Sequence, residues 1–190
     1  MRTSLSLSNR WVRRLAMFPF HALSLLPYRA LYVISDCIYI ILYHLVRYRR
    51  SVVRHNIDMV FKGKNEKERN GVERRFYRWL SDYFVETVKL LGVSDSTFLK
   101  HVRFEGAEEI ERCFDSGQHC AAMLGHYGNW ELLSATDIAF KRWGTRAAGR
   151  ANDGNRPPAV CGLIYHPLHS RYFDLLFMEI RQAMRGVCIS

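Results

Sequence analysis

The longest apolar stretch of the chain lies near its N-terminus, and several polar or helix-breaking residues interrupt it. Leu, Ile, Val, Phe and Tyr dominate residues 15–46, and the interruptions are Pro19, Pro27, Arg29, Asp36 and His44. The cleanest part, residues 31–46, would form a helix of roughly 24 Å, whereas the hydrocarbon core of a bilayer is roughly 30 Å thick. The segment therefore favours membrane attachment over a buried pair of core helices, and it leaves a transmembrane span and an interfacial anchor both open.

The positive charge of the chain is concentrated in the same region. The net charge is +10, and in residues 1–62 ten Lys and Arg residues stand against two Asp residues. Four of these arginines directly follow the apolar run: Arg47, Arg49, Arg50 and Arg54. Such a cluster can pair with anionic headgroups and is typical of the cytoplasmic side of a membrane. A non-catalytic basic protein that binds a membrane or nucleic acid is the alternative, but the apolar content of the segment argues against a nucleic-acid partner.

Beyond residue 62 the periodicity predicts helices that alternate with short strands. The expected helices cover residues 66–91, 107–114, 130–141 and 172–184. The expected strands cover residues 101–105, 120–124, 160–165 and 186–190, and residues 144–158 are expected to form a loop. The pattern predicts an α/β fold class, in which a helical, membrane-associated segment (residues 1–62) precedes an α/β sheet domain (residues 63–190). A last strand with nothing after it predicts that this domain is incomplete at its C-terminus.

The stretch AAMLGHYGNWELL, residues 121–133, contains the candidate site. His126 is expected where a buried strand ends, Gly128 permits a sharp turn, and Asn129 is suited to cap a helix that begins at Trp130. In α/β sheets, ligands bind at the carboxyl ends of the strands. With His126 in the turn and Glu131 in the first helical turn, the two side chains can converge. A carboxylate that fixes the imidazole tautomer leaves the other ring nitrogen free as a general base.

Two other interpretations of this stretch follow from the residues alone. A structural histidine at a turn is the simpler one, because chance His and Glu pairs at this spacing are common. A zinc site would use His119, Cys120, His126 and Glu131, but these residues match no usual ligand spacing, so no metal site is expected. The stretch places no serine or cysteine nucleophile beside the histidine. A catalytic His126 would therefore act directly on a hydroxyl of the substrate.

The segment HYGNWE, residues 126–131, resembles the H-x4-D/E signature of the glycerolipid and lysophospholipid acyltransferase superfamily. In this form it is more specifically similar to the lipid A biosynthesis lauroyl/myristoyl (late) acyltransferases. Further similarities occur in order along the chain, in RRSVVRHNIDMVF with Asn56, in FYRWLSDYFVETVKL, and in IYHPLHSRYFDLLFMEIR at residues 164–181. The resemblance covers most of residues 15–190. His166 departs from it, because that family frequently has Arg or Lys at this position.

The resemblance implies an enzyme, an O-acyltransferase of the H-x4-D/E type. It would move a fatty acyl group from acyl carrier protein or coenzyme A to a hydroxyl of a membrane lipid, with a lipid A precursor as the expected acceptor. His126 would be the general base and Glu131 its orienting partner. A truncated, inactive acyltransferase is the alternative with the same fold.

The resemblance also implies the remaining binding residues and the location. Gly128 and Asn129 would shape the turn at the substrate, and Tyr165 and Arg171 would line the acceptor or donor side. No cofactor is expected, because the acyl thioester is a co-substrate. The expected location is the cytoplasmic face of the bacterial cell inner membrane, where the lipid acceptor is found.

Overall fold

The computed structural model describes residues 10–138, 162–184 and 186–189, and these are mostly helical. The α-helices are α1 (Arg10–Leu25), α2 (Tyr28–Ile40), α3 (Arg50–Val60), α4 (Glu66–Lys89), α5 (Asp95–Phe98), α6 (Ala107–Asp115) and α7 (Arg171–Ala183). A π-helix, Ile41–Leu45, follows α2, and a 3₁₀ helix, Trp130–Ile138, follows the HYGN turn. The strands are β1 (Gly162–Ile164) and β2 (Val187–Ile189).

The longest helix, α4, begins where the sequence places a reciprocal cap. The Asn65 side-chain oxygen accepts a hydrogen bond from the Glu68 backbone N–H at 3.0 Å, and the Glu68 carboxylate accepts one from the Asn65 N–H at 2.9 Å. The hydrogen bond from Asn65 lowers the pKa of Glu68. This arrangement is a capping box, which satisfies two helix N–H groups that lack partners within the helix. The helix expected at residues 66–91 is therefore confirmed to within two residues.

The chain divides into two compact units, one formed by Met1–Leu25 and Thr87–Ser190 and the other by Leu26–Glu86. The second unit contains α2, α3 and most of α4 around three tyrosines. The rings of Tyr39 and Tyr43 stack at 5.5 Å between centroids, and Tyr43 packs on Tyr77 at 5.4 Å. The Tyr77 hydroxyl donates to the backbone oxygen of Tyr48 at 2.5 Å. The division between residues 62 and 63 stays a prediction.

A buried glutamate of this second unit pairs with part of the arginine cluster. Glu73 accepts hydrogen bonds from Arg50 at 2.6 Å and from Arg54 at 3.1 Å. The bond to Glu73 raises the pKa of Arg50. Arg47 and Arg49 are exposed and have left-handed backbone conformations. Two of the four arginines expected at lipid headgroups thus hold α3 against α4.

The first unit has an apolar core to which α1, α5, the 3₁₀ helix and α7 contribute. Its buried members are Met17, Leu90, Val93, Phe98, Ala135, Leu176, Ile180 and Met184. Polar contacts also join α1 to α7. Arg13 pairs with Glu179 at 2.6 Å, and the Tyr172 hydroxyl donates to the Ala16 backbone oxygen at 3.0 Å. The helix expected at residues 172–184 is confirmed as α7.

The sheet is smaller than the sequence predicts. Strands β1 and β2 pair in parallel, with Leu163 opposite Cys188, and α7 connects them as the helix of a β-α-β unit. The α/β class is confirmed only in this coarse form. The strands expected at residues 101–105 and 120–124 are wrong, and Met123 is 94% exposed. A strand requires a neighbour for its hydrogen bonds, and the described residues provide none beside either segment.

Two further differences from the expected elements concern the helix after the HYGN turn and the apolar N-terminal segment. The helix expected at residues 130–141 is a 3₁₀ helix over Trp130–Ile138. Residues 139–141 and the loop expected at residues 144–158 lie outside the described residues. Within residues 10–138, 162–184 and 186–189, no single helix has the length and apolar composition to cross a bilayer. Helices Trp11–Leu25 and Tyr28–Leu45 meet those criteria only when the two are taken together across a break.

Candidate active site

The site begins at a turn of the kind that the sequence predicts, although no strand leads into it. The Tyr127 N–H donates to the Gly125 carbonyl at 2.8 Å. Gly128 has a φ of +59°, in the left-handed region that glycine adopts without strain. The 3₁₀ helix starts two residues later, at Trp130. The turn directs the chain from an exposed segment into a helix whose Glu131 is buried.

His126 lies exposed at the entrance of this turn. Its ring packs edge-on against Trp130, with 4.7 Å between the ring centroids and 62° between the planes. In the part of the chain that the structure describes, no hydrogen bond joins His126 to Glu131. The imidazole is therefore held by an aromatic contact and remains open to a molecule from solvent.

Glu131 has a different partner from the one expected. The residue is only 1% exposed, and both of its carboxylate oxygens accept hydrogen bonds from Arg181. Arg181 Nη2 lies 2.7 Å from Oε1 and Arg181 Nε lies 3.1 Å from Oε2. A buried carboxylate requires a cation and good hydrogen bonds to offset its desolvation, and a guanidinium supplies both in one contact. The exposed imidazole of His126 does not take that place.

Three aromatic rings surround the Arg181 guanidinium. Its central carbon lies 5.5 Å from the Trp130 ring centroid, 5.3 Å from that of Tyr165 and 5.7 Å from that of Phe177. Cation–π contacts of this kind stabilise a desolvated guanidinium. They also join Trp130, which packs on His126, to the ion pair of Glu131. The structure thus brings His126, Glu131 and Tyr165 into one contiguous group through Trp130 and Arg181.

The sequence reasoning missed Arg181, although α7 contains a signal for it. Helix α7 buries Leu176 and Ile180, and its C-cap residue Met184 continues the four-residue spacing. Arg181 directly follows Ile180 and is buried as well. A charged residue within the apolar face of a packing helix requires a buried partner of opposite sign. The sequence does not identify that partner, because Glu131 lies 50 residues away.

The other predicted residues are placed around this group in different ways. The Asn129 side-chain oxygen accepts a hydrogen bond from Thr87 at 3.5 Å, and the Asn129 backbone oxygen accepts one from the Leu132 N–H at 3.2 Å. Arg171 lies exposed at the first turn of α7, and no contact among the described residues joins it to His126 or Glu131. His166 is also exposed, with Nδ1 2.9 Å from the Pro167 backbone oxygen.

Cys188 of strand β2 lies close enough to the Glu131–Arg181 ion pair for both charges to affect the pKa of its thiol. Burial raises the pKa of the Cys188 thiol, the Arg181 charge lowers it, and the Glu131 charge raises it again.

Across the described ranges, no group of three or more His, Cys, Asp or Glu side chains could hold a metal ion. The site is therefore an exposed imidazole beside a buried ion pair with an aromatic lining.

Comparison with known families identifies the class of protein. The chain matches the sequence model of the bacterial lipid A biosynthesis acyltransferases over residues 1–188. It therefore belongs to this family of acyltransferases, which implies an acyl donor and a lipid acceptor as substrates. The resemblance drawn from residues 126–131 and the later blocks is confirmed. No curated protein and no solved structure matches the chain significantly.

Proposed function

We propose that the chain is an O-acyltransferase that moves a fatty acyl group from acyl carrier protein or coenzyme A to a hydroxyl of a lipid A precursor. The observation that carries this proposal is the exposed His126 imidazole at the entrance of the helix that holds the buried Glu131. Family membership supports the reaction class. The acyl thioester is a co-substrate, and the mechanism uses no further cofactor.

The hydroxyl groups of the 3₁₀ helix favour direct acyl transfer to the acceptor instead of a mechanism with an acyl-enzyme intermediate. Ser134 is buried and donates to the Glu131 backbone oxygen at 2.7 Å, and Thr136 donates to the Leu133 backbone oxygen. Both hydroxyl protons are thus engaged with the backbone. A histidine without an adjacent free nucleophile acts as a general base toward the substrate itself.

The reaction then proceeds in two proton transfers around one tetrahedral intermediate. The free ring nitrogen of His126 removes the proton from the acceptor hydroxyl, and the oxygen forms a bond with the thioester carbonyl carbon. The negative charge moves to the carbonyl oxygen, where N–H groups at the start of the 3₁₀ helix are suited to stabilise it. Collapse breaks the carbon–sulfur bond, and the imidazolium returns its proton to the thiolate.

The remaining site residues have positioning roles in this proposal. Gly128 and Asn129 shape the turn that presents His126. Tyr165 lines the site, because its ring covers the guanidinium that holds Glu131. Arg171 would contribute by contact with a donor or acceptor phosphate from the exposed start of α7, which makes it the most peripheral member of the site.

Activity of histidine variants tests the proposal. The full chain in detergent is supplied with lauroyl or myristoyl thioesters and a lipid A precursor that carries a free 3-hydroxyacyl group. The wild type should form the ester, and His126→Ala should lose at least about 100-fold in rate, as expected for a missing general base. His119→Ala, which removes another exposed histidine seven residues upstream, is the matched control. Equal rates for His126→Ala and the control would refute the proposed base.

We also infer that α1 holds the enzyme at the cytoplasmic face of the inner membrane. One face of this helix leaves four large apolar side chains exposed, at spacings of four, three and seven residues: Trp11, Leu15, Phe18 and Leu25. A helix with such a stripe binds in the interface of a bilayer. An interfacial enzyme also avoids extracting the acceptor, since each exposed CH₂ costs about 0.8 kcal/mol.

Vesicle binding tests the proposed anchor. Wild-type protein should sediment with anionic vesicles, and Phe18→Glu should sediment less because it places a charge on the apolar stripe. Leu99→Glu makes the same kind of change at an exposed leucine outside α1 and should leave binding unchanged. Undiminished sedimentation of Phe18→Glu would show that another surface binds the membrane.

A further inference from the structure

We propose that Arg181 is a positioning residue for the acyl transfer and that it acts on His126 through Glu131 and Trp130. This inference rests on the proposed function and extends it to a residue on a different helix. The Arg181 guanidinium donates one hydrogen bond to each carboxylate oxygen of Glu131, at 2.7 and 3.1 Å, and these two bonds fix the orientation of the carboxylate. A planar guanidinium fixes a carboxylate in this two-point manner, whereas a single ammonium does not.

The ion pair leaves Glu131 able to accept another hydrogen bond. Each carboxylate oxygen has two lone-pair sites, and the structure shows one donor from Arg181 on each. The carboxylate can therefore keep its ion pair and also accept the N–H of an imidazole. The ion pair with Arg181 is therefore compatible with a role for Glu131 in orienting His126.

A continuous set of contacts leads from Arg181 to the proposed base. The Trp130 ring lies 5.5 Å from the guanidinium on one side and 4.7 Å from the His126 ring centroid on the other. Trp130 and Glu131 are the first two residues of the 3₁₀ helix. Arg181 therefore fixes the start of the helix against which His126 rests. Loss of this grip would displace His126 from the acceptor hydroxyl, and a displacement of about 1 Å in a reacting group can reduce the rate by about 100-fold.

Charge balance supports the same role. Glu131 is buried, and Arg181 is the charged partner that the described residues supply, so loss of Arg181 would remove this compensation in a low-dielectric setting. The chain also contains a comparison within α7, because Glu179 of that helix pairs with Arg13 of α1 at 2.6 Å. Both arginines join α7 to another helix, but only Arg181 contacts Glu131 and Trp130. A comparison of Arg13 and Arg181 variants therefore distinguishes a positioning role at the site from simple attachment of α7 to another helix.

The experiment compares kcat and KM of the full-length enzyme in detergent, per folded protein, for four substitutions. Arg181→Gln should lower kcat about 10- to 100-fold with KM changed less than about threefold. Arg181→Lys, which keeps the charge but not the two hydrogen bonds to the carboxylate, should lie between Gln and the wild type, with kcat about 3- to 10-fold below the wild type and a smaller loss than Arg181→Gln. Arg13→Gln should stay within about twofold of the wild type. In the Glu131→Gln background, Arg181→Gln should lower kcat by less than about threefold more, because Arg181 acts through Glu131.

The outcomes separate this inference from the proposed function. A wild type without acyl transfer overturns both. If the wild type is active and His126→Ala is not, but Arg181→Gln keeps a kcat within about twofold of the wild type, only the role of Arg181 is wrong. If the kcat losses of Arg181→Gln and Glu131→Gln multiply fully when both substitutions are present, the role of Arg181 is overturned as well. If Arg181→Gln does not fold, Arg181→Lys decides, and a wild-type kcat for that variant overturns the inference.

Discussion

Removal of one partner from the buried Glu131–Arg181 ion pair should destabilise the protein more than removal of one partner from an exposed ion pair. The Glu131 side chain is 1% exposed and that of Arg181 is 10% exposed, so solvent cannot replace the lost partner. Breaking a buried pair from one side typically costs about 3–5 kcal/mol. For a chain of this size each kcal/mol lowers Tm by about 2–4 °C, so Arg181→Met should lower Tm by roughly 6–20 °C.

A double-mutant cycle measures this effect directly. Unfolding free energies from urea denaturation are compared for Arg181→Met, Glu131→Leu and the double variant. The double variant should lie within about 1–2 kcal/mol of the wild type, because two apolar side chains need no charge partner. Glu109→Gln is the control, since the Glu109–Arg112 pair is 65% and 68% exposed and contributes about 0–1 kcal/mol. A loss below about 1 kcal/mol in Arg181→Met, or additive losses in the double variant, would refute the buried pair.

Three further predictions test the unit that carries the site. Gly92→Ala should destabilise by about 1–3 kcal/mol in urea denaturation, because the new Cβ would lie 2.6 Å from the Ser24 hydroxyl oxygen, whereas Gly63→Ala has open space. Gly128→Ala should cost about 1–2 kcal/mol and reduce acyl transfer, with Gly128→Asn milder, since its φ of +59° disfavours a side chain. Burial lowers the pKa of Lys89, so the unfolded state holds that proton more tightly. Unfolding free energy should therefore rise with pH between the lowered and the ordinary lysine pKa, and Lys89→Met should flatten that rise in a urea pH series.

Features that depend on local sequence were predictable. Helix α4 follows from its apolar spacing and from the Asn65 and Glu68 cap, whose members are three residues apart. Helices α6 and α7 and the left-handed turn at Gly128 follow from similarly local patterns. The family resemblance was also available from the residues around His126 and from the later blocks.

Features that depend on distant partners were not predictable. Residues 120–124 have the composition of a buried strand, but strand formation depends on a neighbour that a local pattern does not reveal. Glu131 forms its ion pair with Arg181, which is 50 residues away, so the sequence near Glu131 does not identify that partner. Two arginines of the expected headgroup cluster likewise pair with Glu73, on another helix. In each case a non-local charge or backbone partner decided the outcome.

Direct activation of the acceptor hydroxyl is the central claim, and the intact mass of the enzyme during turnover tests it. The full chain is incubated with the acyl thioester alone and then given the lipid A precursor, while protein mass and lipid product are followed together. The claim predicts an unmodified protein mass at both stages and an ester product only after the acceptor is added. A protein that gains the mass of the acyl group before the acceptor arrives, and loses it as product forms, would contradict the claim.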